Sequence, residues 1–300
     1  VSFSSPYFTL PKFTYFRPKS VGEAVNLLQK YGDDARLMAG GVGLINMLKE
    51  RLMDPKALID LKGIPELHKI EYSESKGLLV GATVTLNEIL ANRQLKKIYP
   101  ALWESISVLS DNNLRNRSTL VGDLCEATPW VDSPPSLIAY QSSVIITGPS
   151  GTRTLPVESF VRGMAQLDLK NDELVTAVSI PKPGKDSRGR YYKFAKGTEF
   201  GLVNLAVVAS GYEHGIPRNT RFVYGGIADT PVVATGITEA FRRGVTGDSV
   251  AHASEIIKES LLWVRNSAQP LEDNLASAEY RKHLMEVVTL QALREVLGVR

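Results

Sequence analysis

Cysteine is nearly absent: the chain has 300 residues and one cysteine, Cys125. A single cysteine cannot form an internal disulfide, a four-cysteine zinc site or a self-contained iron–sulfur cluster. Histidine is almost as scarce, with four residues at His68, His214, His252 and His283. They are widely spaced and no HExxH pattern occurs, which argues against an autonomous metalloenzyme. No apolar run approaches the roughly 20 residues that span a bilayer. The longest, such as LAVVA at 205–209, read as strand cores. The opening VSFSSPYFTLPKF lacks a continuous hydrophobic signal segment. The expectation is a reduced, cytoplasmic protein with no membrane insertion. Strong charge of one sign is missing too: 35 basic minus 32 acidic residues leaves +3. That excess is too weak to imply nucleic acid or anionic lipid.

What is present suits a folded protein. Apolar residues make up 43% and charged residues 22%, so general disorder is excluded, and the length suggests two or three modules. Residues 13–17 read as a strand, and Ser20 with Glu23 as a capping box opening a helix with an end near Tyr31–Gly32. Residues 36–52 read as strand, glycine turn and short helix, and 58–64 as strand and turn. Together they predict a small βαβ-like module. Further strands are expected at 78–82, 143–147 and 174–180. Helices are expected from Thr85 or Asn87 to Leu90, and over 99–109 with Pro100 near the start. Residues 114–135, with Gly122, Pro129, Pro134 and Pro135, read as an extended binding loop. PKPGKDSRGR at 181–190 marks a boundary. Beyond it, strands YYKFA, LAVVASGY and RFVYGGIA precede helices at 255–264 and 278–297, an α+β arrangement.

Two loops could hold a ligand. Ala39-Gly40-Gly41-Val42-Gly43-Leu44 lies between a strand and a helix, where glycines let backbone amides surround phosphate oxygens. It is neither a dinucleotide GxGxxG, since Asn46 takes the third glycine position, nor a Walker loop. The alternative is an ordinary tight turn. The second loop carries Thr119, Gly122, Asp123, Thr128 and Asp132. Hydroxyls and exposed amides there suit phosphate or polyol, and Asp132 could accept from sugar hydroxyls. Asp123 beside a pyrophosphate would have to turn away or meet Arg115 or Arg117. The alternative is a solvated connector.

Four ordered blocks together resemble the FAD-binding medium subunit of molybdenum hydroxylases, the carbon monoxide dehydrogenase, aldehyde oxidoreductase and xanthine dehydrogenase family. AGGVGL at 39–44 resembles its Ala-Gly-Gly-x-x-Leu loop. KERLMDPKALIDL at 49–61 resembles the Lys-x-Arg-x-x-x-Pro-x-x-Leu-x-Asp-Leu segment. RNRSTLVGDLCEATPWVDSPP at 115–135 resembles the second flavin loop, and DNLASAEYRKHLMEVVTLQAL at 273–293 the C-terminal Tyr-Arg-x-x-Leu helix. The resemblance implies an α+β chain. Two α/β subdomains of the PCMH, or vanillyl-alcohol-oxidase-like, FAD-binding type would occupy 1–60 and 61–180, and a C-terminal α+β domain 181–300. It carries phosphate contacts onto Ala39, Gly40, Gly41, Val42 and Gly43. Second-loop contacts fall on Thr119, Gly122, Asp123 and Asp132, with Asp132 toward the ribityl or ribose. Lys193 looks like a lysine near the isoalloxazine ring, the alternative being a surface strand lysine. Ser118, Val121 and Asp123 depart from the pattern Gly-Thr-x-Gly-Gly-Asn. After Lys193 the usual arginine and aspartate give way to Gly197, Thr198, Glu199, Phe200 and Gly201.

The implied function is an oxidoreductase subunit carrying electrons through FAD. Molybdenum–pterin on a large partner would oxidise an aldehyde or related small molecule. A small partner would hold two [2Fe-2S] clusters, in a heterotrimer or a dimer of heterotrimers. Oxygen, NAD⁺, a quinone or another carrier is left open as acceptor. Val121 and Asp123 motivate an alternative, a FAD-free or weakly flavinylated assembly subunit. A self-contained flavin oxidase ranks lower, since no substrate-base constellation is visible. Cys125 is expected to be a small packed residue rather than a redox nucleophile, and the histidines ordinary surface, capping or packing residues. Aromatics Phe3, Tyr7, Phe8, Phe13, Tyr15 and Phe16 are expected to serve local packing, the alternative being a partner contact.

Overall fold

The first unit is laid down by alternating strands and helices, each opened by a local signal. Ser20 accepts from the Glu23 amide at 3.2 Å and caps α1 (Val21–Tyr31), which buries Ala24, Val25 and Leu28. The reciprocal half of the expected box differs. The Glu23 carboxylate accepts from the Lys19 amide instead of that of Ser20. Strands β1 (Thr14–Phe16), β2 (Ala35–Met38) and β3 (Ala57–Asp60) pair in parallel in the order β1-β3-β2, with α2 (Val42–Lys49) between β2 and β3. The computed structural model describes residues 9–196, 200–244 and 249–299. Phe3, Tyr7, Phe8 and the stretch 197–199 lie outside them.

The second unit is antiparallel. Its strands are β4 (Ile70–Ser73), β5 (Gly77–Gly81), β6 (Ser143–Gly148) and β7 (Gly151–Pro156). A two-stranded ribbon, β8 (Val161–Gly163) and β9 (Gln166–Leu167), precedes β10 (Leu174–Ile180). The main sheet runs β4-β5-β10-β6-β7. The connection from β5 to β6 holds α3 (Leu86–Ala91), α4 (Arg93–Ile98) and α5 (Pro100–Ser107). Thr85 and Glu88 complete a capping box on α3, and Pro100 occupies the first turn of α5, where its missing N–H costs nothing.

The reading of 114–135 as an extended loop is corrected. This stretch holds the second half of α6 (Asn112–Arg115), all of α7 (Leu120–Glu126) and the start of α8 (Ser133–Ala139). Short helices escape periodicity because one or two turns show little of it. Proline also misleads here: Pro134 and Pro135 sit in the first turn of α8, where they remove donors that would otherwise be orphaned. All seven residues of α8 are buried. The helix packs against α5 and the third sheet. After α9 (Val157–Phe160) and β10, that sheet is β11 (Arg188–Ala195), β12 (Gly201–Glu213), β13 (Ile216–Gly225) and β14 (Val232–Val233), antiparallel in that order.

Helices α10 (Thr235–Gly244), α11 (Ser249–Ser267) and α12 (Ala278–Leu297) cover one face of the third sheet. The sequence reading misses α10 and finds only the middle of α11. One hydrophobic core runs through the first two sheets, with Ile59, Tyr99, Leu137, Val144 and Phe160. A second, with Phe222, Tyr224, Phe241 and Val288, lies between the third sheet and its helices. Among the described residues no helix is long and apolar enough to cross a membrane.

The helical reading of α7 is testable at its cap, where the Thr119 hydroxyl accepts from the Gly122 amide at 3.0 Å. Thr119→Ala should lower unfolding free energy by about 1 kcal/mol, as loss of an N-cap does, measured by urea denaturation. An unchanged midpoint would mean that the hydroxyl does not cap a helix.

Candidate functional site

The glycine loop turns the chain from β2 into α2. Gly41, at φ 83° and ψ 4°, occupies the left-handed region at the helix start. The first helical bond runs from the Ile45 amide to the Gly41 carbonyl at 3.0 Å. Among the described residues, the amides of Gly40 to Leu44 have no backbone or side-chain acceptor. These free donors sit at the positive end of α2. Gly40 is fixed by close approach: a Cβ there would lie 2.0 Å from the Arg117 carbonyl oxygen. The loop therefore packs directly on the chain that enters α7. From the other side Lys62 Nζ donates to the Ala39 carbonyl at 3.0 Å and to Asp60 at 2.6 Å. The Tyr15 hydroxyl donates to the second Asp60 oxygen. Burial pushes the Asp60 carboxyl up, but the bonds from Lys62 and Tyr15 outweigh it and hold the group below the usual range.

On the facing segment, Thr119 and Gly122 satisfy each other through the cap. Val121, 5% exposed, points into the core. Asp123 turns away from Arg115 and Arg117. Its carboxylate accepts from the Ser133 amide at 3.2 Å and from the Ser133 hydroxyl at 2.5 Å, so it serves the first turn of α8. Arg115 donates instead to the Leu109 and Ser110 carbonyls, and Arg117 reaches the Gly40 carbonyl at 3.4 Å. Burial, with Asp132 and Glu126 nearby, raises Asp123 to about 7 against the bonds from Ser133. Burial also pushes Glu126 up. The Glu126 carboxylate lies 3.5 Å from where a Gly43 Cβ would project, so α7 faces the glycine loop along its length. Cys125 packs at the core edge and burial pushes its thiol up to about 12, which leaves no thiolate at neutral pH.

Asp132 stands at the start of α8 and is 4% exposed. Three groups of the third sheet converge on it. The Tyr191 hydroxyl donates to Oδ1 at 2.7 Å, Lys193 Nζ to Oδ2 at 2.7 Å and Asn204 Nδ2 to Oδ1 at 3.4 Å. The Lys193 side chain is 10% exposed, which excludes the surface-lysine alternative. Burial pushes Asp132 up, while Lys193 and Tyr191 pull it down. Burial beside that carboxylate drives Tyr191 well above its ordinary value.

The expected residues thus form two constellations: Ala39 to Gly43 against α7, and Asp132 with Lys193. Sequence reasoning missed Tyr191, Asn204, Lys62 and Asp60 as supports. Tyr191 was legible, since it shares a strand face with Lys193. Asn204 was not, because its place opposite Lys193 is set by pairing register. His68 bridges the Thr83 carbonyl and Glu88, at 3.3 and 3.0 Å. Among the described residues no group of three or more His, Cys, Asp or Glu could hold a metal ion.

Residues 11–183 match the family profile described as FAD binding domain in molybdopterin dehydrogenase, and residues 190–296 that of the CO dehydrogenase flavoprotein C-terminal domain. The carbon monoxide dehydrogenase medium chain of Hydrogenophaga pseudoflava is 30% identical, covering 94% of this chain and 96% of its own. The glyceraldehyde dehydrogenase medium chain of Sulfolobus acidocaldarius is 29% identical, covering 95% and 99%. Among solved structures, carbon monoxide dehydrogenase from Hydrogenophaga pseudoflava superposes with TM-score 0.87 at 28% identity, over 97% of this chain and 99% of that one. Quinoline 2-oxidoreductase from Pseudomonas putida 86 gives 0.86 at 25%, again over 97% and 99%.

The Asp123 environment predicts a pH effect with a definite sign. Its folded pKa lies above the unfolded value of about 3.9, so the native state favours the protonated acid and loses stability as pH rises toward about 7. Asp123→Asn removes that titration and can still accept from Ser133. The variant's melting temperature relative to wild type should rise between roughly pH 4 and 7 and level off above. A constant offset across the range would refute the raised pKa.

Proposed function

The chain belongs to the FAD-binding medium-subunit family of molybdenum hydroxylases, and we propose that its Ala39–Gly43 loop holds the FAD pyrophosphate. It is an oxidoreductase subunit of PCMH-like fold with an electron-transfer role in a molybdenum hydroxylase complex. Family membership implies FAD on this chain and molybdenum–pterin and iron–sulfur groups on partners. One observation carries the phosphate assignment: a row of backbone amides without acceptors at a helix start, beside a glycine that no side chain could replace without displacing Arg117. Such donors need no charge of their own to bind phosphate.

The residues present fit the cofactor in a second respect. Thr128 Oγ1 and Asn204 Oδ1 are buried without a hydrogen-bond partner, polar atoms suited to a bound polar group. Val121 and Asp123, the departures that favour a flavin-free subunit, are both taken up internally, one by the core and the other by Ser133. Bound FAD supplies the redox chemistry. The protein's part is to cradle the phosphates with Ala39 to Gly43 and to line the second loop with Thr119, Gly122, Asp123 and Asp132. Lys193, oriented by Asp132, offers a positive charge toward the ring side. We divide the chain at 1–60, 61–180 and 181–300, a reading supported by the ranges of the three main sheets. We place this chain in a heterotrimer with a large molybdenum–pterin subunit and a small subunit carrying two [2Fe-2S] clusters, single or paired. The substrate, an aldehyde or related small molecule, is oxidised on the large subunit.

The test pairs two left-handed glycines. Gly41→Ala and Gly298→Ala each place a side chain at positive φ, 83° and 68°, and should each cost about 1 kcal/mol of stability. Only Gly41→Ala should weaken FAD retention, by about tenfold or more, read from the visible flavin absorption of the complex co-purified with its metals. Equal flavin occupancy in both variants, with the fold intact, would refute the phosphate loop. A wild-type complex purified gently with molybdenum and iron but no flavin would establish the assembly-subunit alternative.

A further inference from the structure

One acid of α7 faces the glycine loop without a partner. Glu126 is the last residue of the helix. Its Oε2 lies 3.5 Å from where a Gly43 Cβ would project. In a helix that direction tilts toward the N-terminus. The carboxyl therefore sits on the side of α2 toward which the free amides point. Among the described residues it accepts no hydrogen bond and joins no ion pair.

Its backbone is anchored from behind. Ala127 ends α7 in the left-handed region, at φ 48° and ψ 38°. The Ala127 amide donates to the Leu124 carbonyl at 3.3 Å, and the Ala127 carbonyl accepts from the Ala165 amide at 2.8 Å. The helix end is thereby tied to the turn between β8 and β9.

Among the described residues no cation answers Glu126. The glycine loop has no titratable side chain. Neither have β10 and α8, which pack on α7. Asp132, at the start of α8, is paired with Lys193 at 2.7 Å. Asp123, on α7 itself, is bonded to Ser133 and adds no positive charge. Arg117, on the chain entering α7, holds the Gly40 carbonyl at 3.4 Å. Arg162 of β8 is paired with Asp168. The C-terminal end of a helix also disfavours an anion. The carboxyl is open to solvent, yet the chain crowds it enough to push it above its ordinary value.

We propose that Glu126 makes FAD binding proton-linked: the neutral acid donates its O–H to the bound diphosphate, whereas the carboxylate repels it. The proposal rests on the phosphate-loop reading. A diphosphate seated on the free amides brings negative charge to the side where Glu126 stands, and charge of the same sign raises a carboxyl's pKa. The bound state then keeps the proton to higher pH than the free state. Binding takes up a proton between those two values, so affinity is greatest on the acid side and falls as pH rises. Each unit between the two values is worth about tenfold in affinity.

The test is FAD rebinding to the complex after its flavin has been removed by dialysis against chaotropic salt. Flavin fluorescence gives Kd from about pH 5 to 8, above the ordinary range of a glutamate. Kd should rise about tenfold or more across that range in wild type. Glu126→Gln keeps the shape without the titration. Its Kd should stay nearly constant, and at the alkaline end it should bind more tightly than wild type. Calorimetry in buffers of different ionisation enthalpy should show proton uptake with wild type and none with Glu126→Gln. Asp123→Asn removes the other acid of α7 and should keep most of the slope. A pH-independent Kd in wild type, without proton uptake, would overturn the linkage and leave the phosphate loop standing. A slope retained in Glu126→Gln would overturn it as well, and its loss in Asp123→Asn would move the proton to that residue. Unimpaired FAD binding by Gly41→Ala, or no binding by wild type at any pH, would defeat the underlying reading instead.

Discussion

The carboxylate of Asp132 joins the two halves of the molecule. It belongs to the segment that leads into α8, yet all three of its donors come from β11 and β12. A carboxylate this buried is costly unless it is paired and fully bonded. Lys193 supplies the opposite charge, and Tyr191 and Asn204 supply directional donors. Remove any partner and a buried charge is left short, so the geometry between the second unit and the third sheet is over-determined. That fixes where Lys193 points. The proposed place of Lys193 toward the cofactor depends on this one anchor.

The same segment shows how a fully buried helix is tolerated. The start of α8 has no solvent to satisfy its first amides. Pro134 and Pro135 have no N–H to satisfy, and Asp123 accepts from the Ser133 amide. Residues that depart from the family pattern at the second loop are therefore not loose ends. Asp123 bonds the first turn of α8, and Val121 fills the core under α7. A negative group near a helix start is favoured by the backbone dipoles, but here burial among other carboxyls works against ionisation.

How much of this could be read from the chain alone varied with the range of the interaction. Gly41 was legible because positive φ at a strand-to-helix turn is a local demand. So were Ser20, Thr85 and Pro100, whose capping roles involve residues three or four apart. The three helices that 114–135 touches were not, since four to seven residues give too little periodicity and the prolines there look like loop markers. Lys193 was found through resemblance, but its partner could not be assigned: Asp132 is 61 residues away and meets it only because β11 and α8 pack together. Asn204 depends on a register that includes a bulge after Phe194, and no local pattern encodes that.

The electrostatics of the glycine loop follow from what its neighbours have already spent. Lys62 is paired with Asp60, Arg115 is bound to two carbonyls, and Arg117 leans on Gly40. Lys193 is paired with Asp132 at 2.7 Å. Under the proposed phosphate assignment, attraction comes from the free amides, from the positive end of α2, worth about half a charge, and from the Arg117 guanidinium, which holds only a carbonyl oxygen. Against so small an attraction, the ionisation of nearby acids matters. Asp123 and Glu126 are both pushed toward their neutral forms by burial. Burial thus disfavours negative charge on the side of the loop that faces α7. A competing negative charge is opposed on the α7 side, whereas on the other side Asp60 stays ionised as the partner of Lys62 and Tyr15.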